Sequence, residues 1–285
     1  MQKFIKNAKY YFLGLLLVAA VFVWYAVFRE SREGLEVDFL DVGQGDAIFI
    51  QAPNGNQILL DGGPNKKVLN QLSKVMPFYD RSIDLIIESH PDNDHIEGFI
   101  DALKKYNIGA IMESGVMVDT PVYQELEKTA KDKNIQKVLA KRGMRINLGD
   151  GIFIDVLLPT VNNPNFSPHD GMVVLKLNYG KNSFLLAGDM EEKMEKYLIS
   201  IDKNLTSNVL KIGHHGSKTS TSEAFLGYVS PEYAVISVGK DNRYGHPTQE
   251  VLDRLNRFGI KILRTDEKGT IKIKSDGGSL QLLDN

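Results

Sequence analysis

From Tyr10 to Phe28 the chain runs for 19 residues without a charge, rich in Leu, Val, Ala and aromatics. Apolarity on every side, rather than along one stripe, marks a helix with no water-facing surface. At 1.5 Å per residue such a helix just crosses a hydrocarbon core of about 30 Å. Tyr10, Tyr11, Phe12, Trp24, Tyr25 and Phe28 gather towards its ends, as interfacial aromatics do. Lys3, Lys6 and Lys9 precede the run, and Arg29-Glu-Ser-Arg-Glu33 follows with mixed sign. The positive-inside bias predicts a cytoplasmic N-terminus and a C-terminal part outside. Bulky Trp24-Tyr-Ala-Val-Phe28 offers no small-residue cleavage site, so an uncleaved anchor is expected rather than a signal peptide. The expected division is a basic segment 1–9, a transmembrane helix 10–28, a linker 29–34 and one domain 35–285. A single-pass protein of the plasma membrane follows from it.

Beyond Leu35 the rhythm changes to short apolar runs separated by turn residues. Leu35–Val42, Ala47–Gln51, Gln57–Leu60 and Ile83–Glu88 read as strands, and Lys66–Val75 and Ile96–Tyr106 carry helical spacing. Thr120-Pro121 opens an amphipathic helix to Asn134. Ile152–Leu158, Met172–Tyr179 and Ser183–Ala187 are again strand-like. After them helix (Glu191–Ser200, Ser222–Val229, Gln249–Phe258) alternates with strand (Asn208–Ile212, Ala234–Val238, Lys261–Arg264). The mixture predicts an α/β sandwich of sheets covered by helices. No repeat or low-complexity linker divides it.

Composition narrows the chemistry. With 42% hydrophobic residues among 285, the chain can bury a large core. It has no cysteine, which excludes disulfides and thiolate metal sites and leaves His, Asp and Glu as the metal donors. Setting aside the three lysines before the apolar run leaves 31 basic groups against 36 acidic ones. A domain that coats nucleic acid is usually basic, so bulk charge gives no support to that role. The basic residues from Arg254 to Lys274 read as solvated faces.

The histidines stand at 90, 95, 169, 214, 215 and 246, each beside a turn or a Gly/Asp/Pro-rich loop. Ser89-His-Pro-Asp-Asn-Asp-His95 places four candidate ligands, His90, Asp92, Asp94 and His95, within six residues at the end of a strand. That density converges on one or two divalent ions far more readily than on solvent. Leu185-Leu-Ala-Gly-Asp189 ends a second strand in a lone acid whose two oxygens can bridge a pair of ions, although an N-cap role also fits. Val209-Leu-Lys-Ile-Gly-His-His-Gly-Ser217 ends a third in paired histidines, and Asn242-Arg-Tyr-Gly-His-Pro247 follows a fourth.

Together with Leu40-Asp-Val-Gly-Gln-Gly-Asp46 and Leu60-Asp-Gly-Gly63, these segments resemble, in order, the motif series of the metallo-β-lactamase superfamily. More narrowly they resemble the C-terminal hydrolase domain of the ComEC family of competence proteins. The resemblance implies a four-layer αββα sandwich with a dinuclear centre at its rim. It implies His90 and Asp92 on one ion, Asp94 and His95 on the other, and Asp189 between them. It sets His214 on the second ion ahead of His215, and Asp61 behind the His90–His95 loop as its support. His169, in Phe166-Ser-Pro-His-Asp-Gly171, falls where the superfamily has a further histidine ligand. Asp92 replaces the superfamily's usual histidine, a harder donor that leaves Zn and Mn both eligible.

Two ions of this kind can hold a bridging hydroxide, since coordination lowers the pKa of water from 15.7 to about 7. The expected activity is therefore that of a membrane-anchored metallo-hydrolase, a phosphodiesterase or nuclease acting on DNA outside the membrane. Asp94, His246 and His215 are its candidate catalytic residues. The two histidines would serve the leaving oxygen, and Lys218 and Lys240 would hold phosphate. Candidate partners are single- or double-stranded DNA and a separate membrane channel, because one span cannot form a pore. The competing expectations are an extracytoplasmic cell-wall or lipid phosphodiesterase and a catalytically silent binding module in DNA uptake.

Overall fold

The computed structural model describes residues 2–30, 34–161 and 166–283, and residues 31–33 of the linker expected over 29–34 lie outside them. The chain divides into two compact units, Met1–Glu33 and Gly34–Asn285. The first is a continuous helix, α1 (Gln2–Glu30). Its stretch Asn7–Tyr25 is long and apolar enough to cross a membrane.

In the second unit, β1 (Leu35–Phe39), β2 (Ile48–Gln51), β3 (Gln57–Leu60), β4 (Ser82–Ile87), β5 (Asn107–Glu113) and β6 (Gln136–Leu139) build one sheet. A second sheet holds β7 (Arg145–Gly149), β8 (Ile152–Leu158), β9 (Val174–Tyr179), β10 (Asn182–Leu186), β11 (Val209–Lys211), β12 (Tyr233–Ile236) and β13 (Lys261–Arg264). The chain then returns to the first through β14 (Ile271–Ser275) and β15 (Leu280–Leu283), giving the order β15-β14-β1-β2-β3-β4-β5-β6.

Strand alternation divides the apolar residues into layers. Ile48 and Ile50 face the opposite sheet with Phe184 and Leu186, whereas Phe49 between them packs beneath helices. Those helices are α2 (Lys67–Val75), α3 (Asn93–Lys105) and α4 (Pro121–Asp132), which supply Leu72, Phe99 and Leu126. The short α5 (Pro168–Gly171) intervenes between β8 and β9. On the far side, Leu185 and Leu210 meet Leu198, Phe225 and Leu255 from α6 (Glu192–Ile201), α7 (Glu223–Val229) and α8 (Gln249–Arg257). Both sheets are thus buried on two faces, which is why their central strands read as near-continuous apolar runs. The result is the expected αββα sandwich.

Strands β3 to β6 run parallel, as do β10 to β13. Parallel strands put their C-terminal ends, and the loops that follow, along one rim. Ser89, Asp189, Gly213 and Ser237 all follow such ends. The five strands β5, β6, β7, β14 and β15 escape sequence reasoning. In β5 the pattern is broken by Gly109, where a Cβ would stand 2.5 Å from the Asp84 carbonyl oxygen of β4.

Candidate metal centre

Helix α3 begins three residues earlier than its apolar spacing suggests, with Asp92 as N-cap and Asp94 and His95 in the first turn. The ligand loop is therefore half helix, and the backbone N–H of His95 reaches the Asp92 carbonyl at 2.9 Å. This turn lies tight against its neighbours: a Cβ on Gly45 would collide with the Asp94 carbonyl oxygen, and one on Gly98 with that of Gly62. Neither position can carry a larger residue without moving the loop.

Four groups of side chains on this rim each bring their ligand atoms within 4.8 Å of one another. Asp94, His95, Asp189 and His215 form one pocket. His90, Asp92 and His169 form a second, and His169, Asp189 and His214 link the two. The fourth group, Asp46, Asp61 and His95, lies behind the first.

In the first pocket, His95 Nε2 and His215 Nε2 are each 3.4 Å from Asp189 Oδ2. Asp94 Oδ2 is 3.3 Å from His215 Nε2 and 4.0 Å from His95 Nε2. In the second, Asp92 Oδ2 lies 3.5 Å from His90 Nε2 and 3.3 Å from His169 Nε2. His214 Nε2 stands 4.0 Å from Asp189 Oδ2. Asp189 thus presents one oxygen, Oδ2, to the histidines of both sides. Its Oδ1 lies 3.7 Å from Lys211 Nζ.

The ring nitrogens turned away from the rim are held. His95 Nδ1–H donates to Asp61 Oδ2 at 2.9 Å, and His215 Nδ1–H to the Ser237 carbonyl at 2.9 Å. A carboxylate and a carbonyl can only accept, so each Nδ1 carries its hydrogen and leaves Nε2 to face the site. Asp61 also accepts from Ser89 N and Ser89 Oγ at 2.8 and 2.7 Å, which ties the His90–His95 loop to the end of β3. Ser89 Oγ in turn meets His90 Nδ1 at 2.9 Å.

Charge follows from this crowding. Burial alone would lower the pKa of His95, but Asp189, Asp61 and Asp94 raise it well above the usual histidine value. Burial opposes the same rise at His215, which Asp189 and Asp46 carry to about 9. Burial would raise Asp189, yet His215 and His95 hold it well below the ordinary carboxylate range. Asp94 is likewise brought to about 2 against its burial, chiefly by His95 and His215, and Asp92 is lowered by His169 and His90. The hydrogen bond with Asp92 raises His169, while burial lowers both His214 and His246.

A divalent ion fits this donor set. His90 Nε2, His95 Nε2 and His215 Nε2 are buried and make no hydrogen bond. Polar atoms buried without partners are costly and rare, and here they converge on one place.

The paired histidines divide between the ligand groups. The resemblance sets His214 ahead of His215 on the second ion, and the geometry brings His215 into the pocket of Asp94 and His95. His214 stands with His169 and Asp189, its Nδ1 held 3.2 Å from Glu191 Oε1. Both paired histidines are left-handed, with φ of 46° and 53°, in the turn Gly213–Gly216. The chain doubles back there, and the second ring swings inward onto Ser237. Non-glycine residues hold this conformation only when their surroundings over-determine it, as at functional sites.

Two residues here, Lys211 and Glu191, escape sequence reasoning. Lys211, in the middle of an apolar run, is fully buried; it pairs with buried Asp46 and donates to the Gly188 carbonyl at 3.0 Å. Burial works against its charge, but Asp46 and Asp189 raise its pKa above the usual lysine value. Glu191 reads from sequence as a helix start. The only local signal is a cation interrupting a strand otherwise destined for the core. His246 lies at the mouth, its ring 5.7 Å from that of His214, and Lys218 and Lys240 are exposed.

Comparison with known proteins bears on the family and the fold. The family model described as the metallo-beta-lactamase superfamily matches residues 40–240. The chain is 35% identical over 261 residues to ComE operon protein 3 of Bacillus subtilis, covering 86% of this chain and 33% of that protein. It is 31% identical to the competence protein ComA of Neisseria gonorrhoeae, covering 93% of this chain and 36% of that one. The chain therefore spans about a third of these relatives' length. Among solved structures, the metallo-beta-lactamase fold protein YhfI of Bacillus subtilis aligns with a TM-score of 0.54. That match is 11% identical and covers 88% of this chain and all of YhfI, a likeness of fold.

Proposed function

The chain belongs to the metallo-β-lactamase superfamily, and on that premise we propose that it is a two-metal phosphodiesterase that cleaves nucleic acid outside the membrane. The observation that carries the reading is the pair of ligand pockets joined through Asp189, which groups with Asp94, His95 and His215 on one side and with His169 and His214 on the other. His90, Asp92 and His169 would hold one divalent ion, Zn or Mn, and Asp94, His95 and His215 the other, with Asp189 common to both. Ions so held supply Lewis acidity, which activates water at neutral pH and offsets the charge building on a phosphoryl oxygen.

The protein's own groups do the rest. Asp61 and Ser237 fix the tilt of His95 and His215, so neither ring must reorganise as the reaction proceeds. His246, lowered by burial and so neutral near pH 7, offers a ring N–H to the leaving oxygen. Lys218 and Lys240, exposed in the segments that carry His215 and His246, suit the phosphates of a strand extending past the centre. Competence relatives support nucleic acid as the substrate, and the apolar helix supports attachment to a membrane with the domain outside it. A partner channel belongs to the same reading.

The test is hydrolysis of bis-p-nitrophenyl phosphate and of single-stranded DNA by the full chain with Mn or Zn. Asp94→Ala should lose activity on both by more than about 100-fold, beyond the usual cost of an outer-shell change. Activity that survives Asp94→Ala or thorough chelation would overturn the proposal.

A further inference from the structure

The loop after β12 carries an aromatic ring that the metal centre does not use. Tyr244 is 70% exposed, yet its backbone is tightly held. Asn242 Oδ1 accepts from the backbone N–H of Tyr244 at 3.2 Å and of His246 at 3.0 Å. Asn242 Nδ2 donates to the carbonyls of His246 at 2.7 Å and Gly239 at 2.9 Å. Gly239 N donates to Gln44 Oε1 at 3.2 Å, so the loop is also tied to the first sheet. Four bonds to one asparagine side chain make a rigid support, which an exposed tyrosine with no ligand would not need.

The ring's position gives it a direction. Tyr244 stacks on His246, with centroids 5.8 Å apart and planes 25° from parallel. His246 lies 5.7 Å from His214, whose Nε2 is 4.0 Å from Asp189 Oδ2. The rings therefore step from solvent towards the metal centre, with Tyr244 at the outer end and largely open to solvent. Lys240 and Arg243, with Asp241 between them, are exposed on the same loop and leave it a net positive charge.

We propose that Tyr244 is the stacking platform for a base next to the scissile phosphate, so that the substrate strand is single-stranded and base-bearing. The inference rests on the phosphodiesterase reading above and deepens it. Stacking on an aromatic face tolerates any base, since every base has a π-face, but it needs a base free of its duplex partner. A polyol-phosphate chain of the cell wall has no such face and would gain nothing from Tyr244.

The experiment compares oligothymidylate with an equally long strand of abasic tetrahydrofuran phosphates, which keeps the backbone charge and removes the bases. The full chain with Mn would be assayed as wild type, Tyr244→Phe and Tyr244→Ala. The wild type should show a KM for oligothymidylate about tenfold below that for the abasic strand, with kcat little changed. Tyr244→Phe should keep this ratio. Tyr244→Ala should bring it to about one by raising KM on oligothymidylate alone, leaving abasic cleavage as it was. A wild-type ratio near one, or an unchanged ratio in Tyr244→Ala, overturns the platform while leaving the phosphodiesterase intact. A wild type that hydrolyses bis-p-nitrophenyl phosphate and cleaves neither strand overturns the nucleic-acid reading, and the platform with it.

Discussion

The pocket of Asp94, His95 and His215 and the pocket of His90, Asp92 and His169 meet at Asp189, yet the protein backs them differently. In the first, His95, His215 and Asp189 are 0–3% exposed, only Asp94 opens to solvent with a side chain 36% exposed, and behind them stand Asp61, the Ser237 carbonyl, Asp46 and Lys211. In the second, only His90 is fully buried. The side chains of Asp92, His169 and His214 remain 37%, 29% and 26% exposed, and Glu191 behind them is 36% exposed. One pocket is set into the sandwich, where its donors keep their geometry without help. The other is assembled at the mouth from a helix cap, the four-residue α5 and a tight turn. The closed pocket is thus the fixed reference of the site, and the open one is where substrate and ligands can adjust.

The sharpest test of this division is the histidine pair. His215→Ala should cost activity well over the roughly 100-fold typical of outer-shell changes, and reduce bound metal from two ions per chain to one. His214→Ala should cost less and leave the closed pocket filled. Metal content by elemental analysis beside turnover would decide, and the reverse order would erase the distinction.

Next in size is the support behind the closed pocket. Lys211→Met leaves the Asp46 carboxylate buried without its partner, a change that costs about 3–5 kcal/mol. The metal-free protein should therefore melt markedly earlier, and the double change Asp46→Asn with Lys211→Met should recover much of the loss. If Lys211→Met melts like the wild type, the pair is not the brace inferred from its burial.

The smallest effect compares the orienting acids of the two pockets. Asp61→Asn should weaken the closed pocket's ion by about 10–100-fold in titration calorimetry. Glu191→Gln, whose carboxylate is partly exposed to solvent, should weaken the open one by less, because water can replace what it offers. Equal losses would mean that both pockets rely on their supports alike.

Much of this was open to reading from the chain. The His90–His95 segment announces itself because its ligands are local: four donors within six residues, following a strand, need no distant contact to be noticed. The sandwich is legible because apolar runs of strand length alternate with helical spacing, and burial on both faces demands such runs. The strands that escape detection lie towards sheet edges or carry interruptions such as Gly109, where packing against a neighbour replaces local pattern.

What the sequence determined by itself, then, is the set of donors and the strand ends that carry them. Only the tertiary structure decided how they are shared. Whether His214 or His215 enters the closed pocket depends on two left-handed residues and on a carbonyl that β12 supplies from 22 positions away. Whether Lys211 is a surface charge or a buried brace depends on Asp46, which reaches it from the other sheet. The same burial turns Asp189 so that a single oxygen faces the histidines. Residue types are written along the chain, but direction and burial arise only when two sheets close on each other.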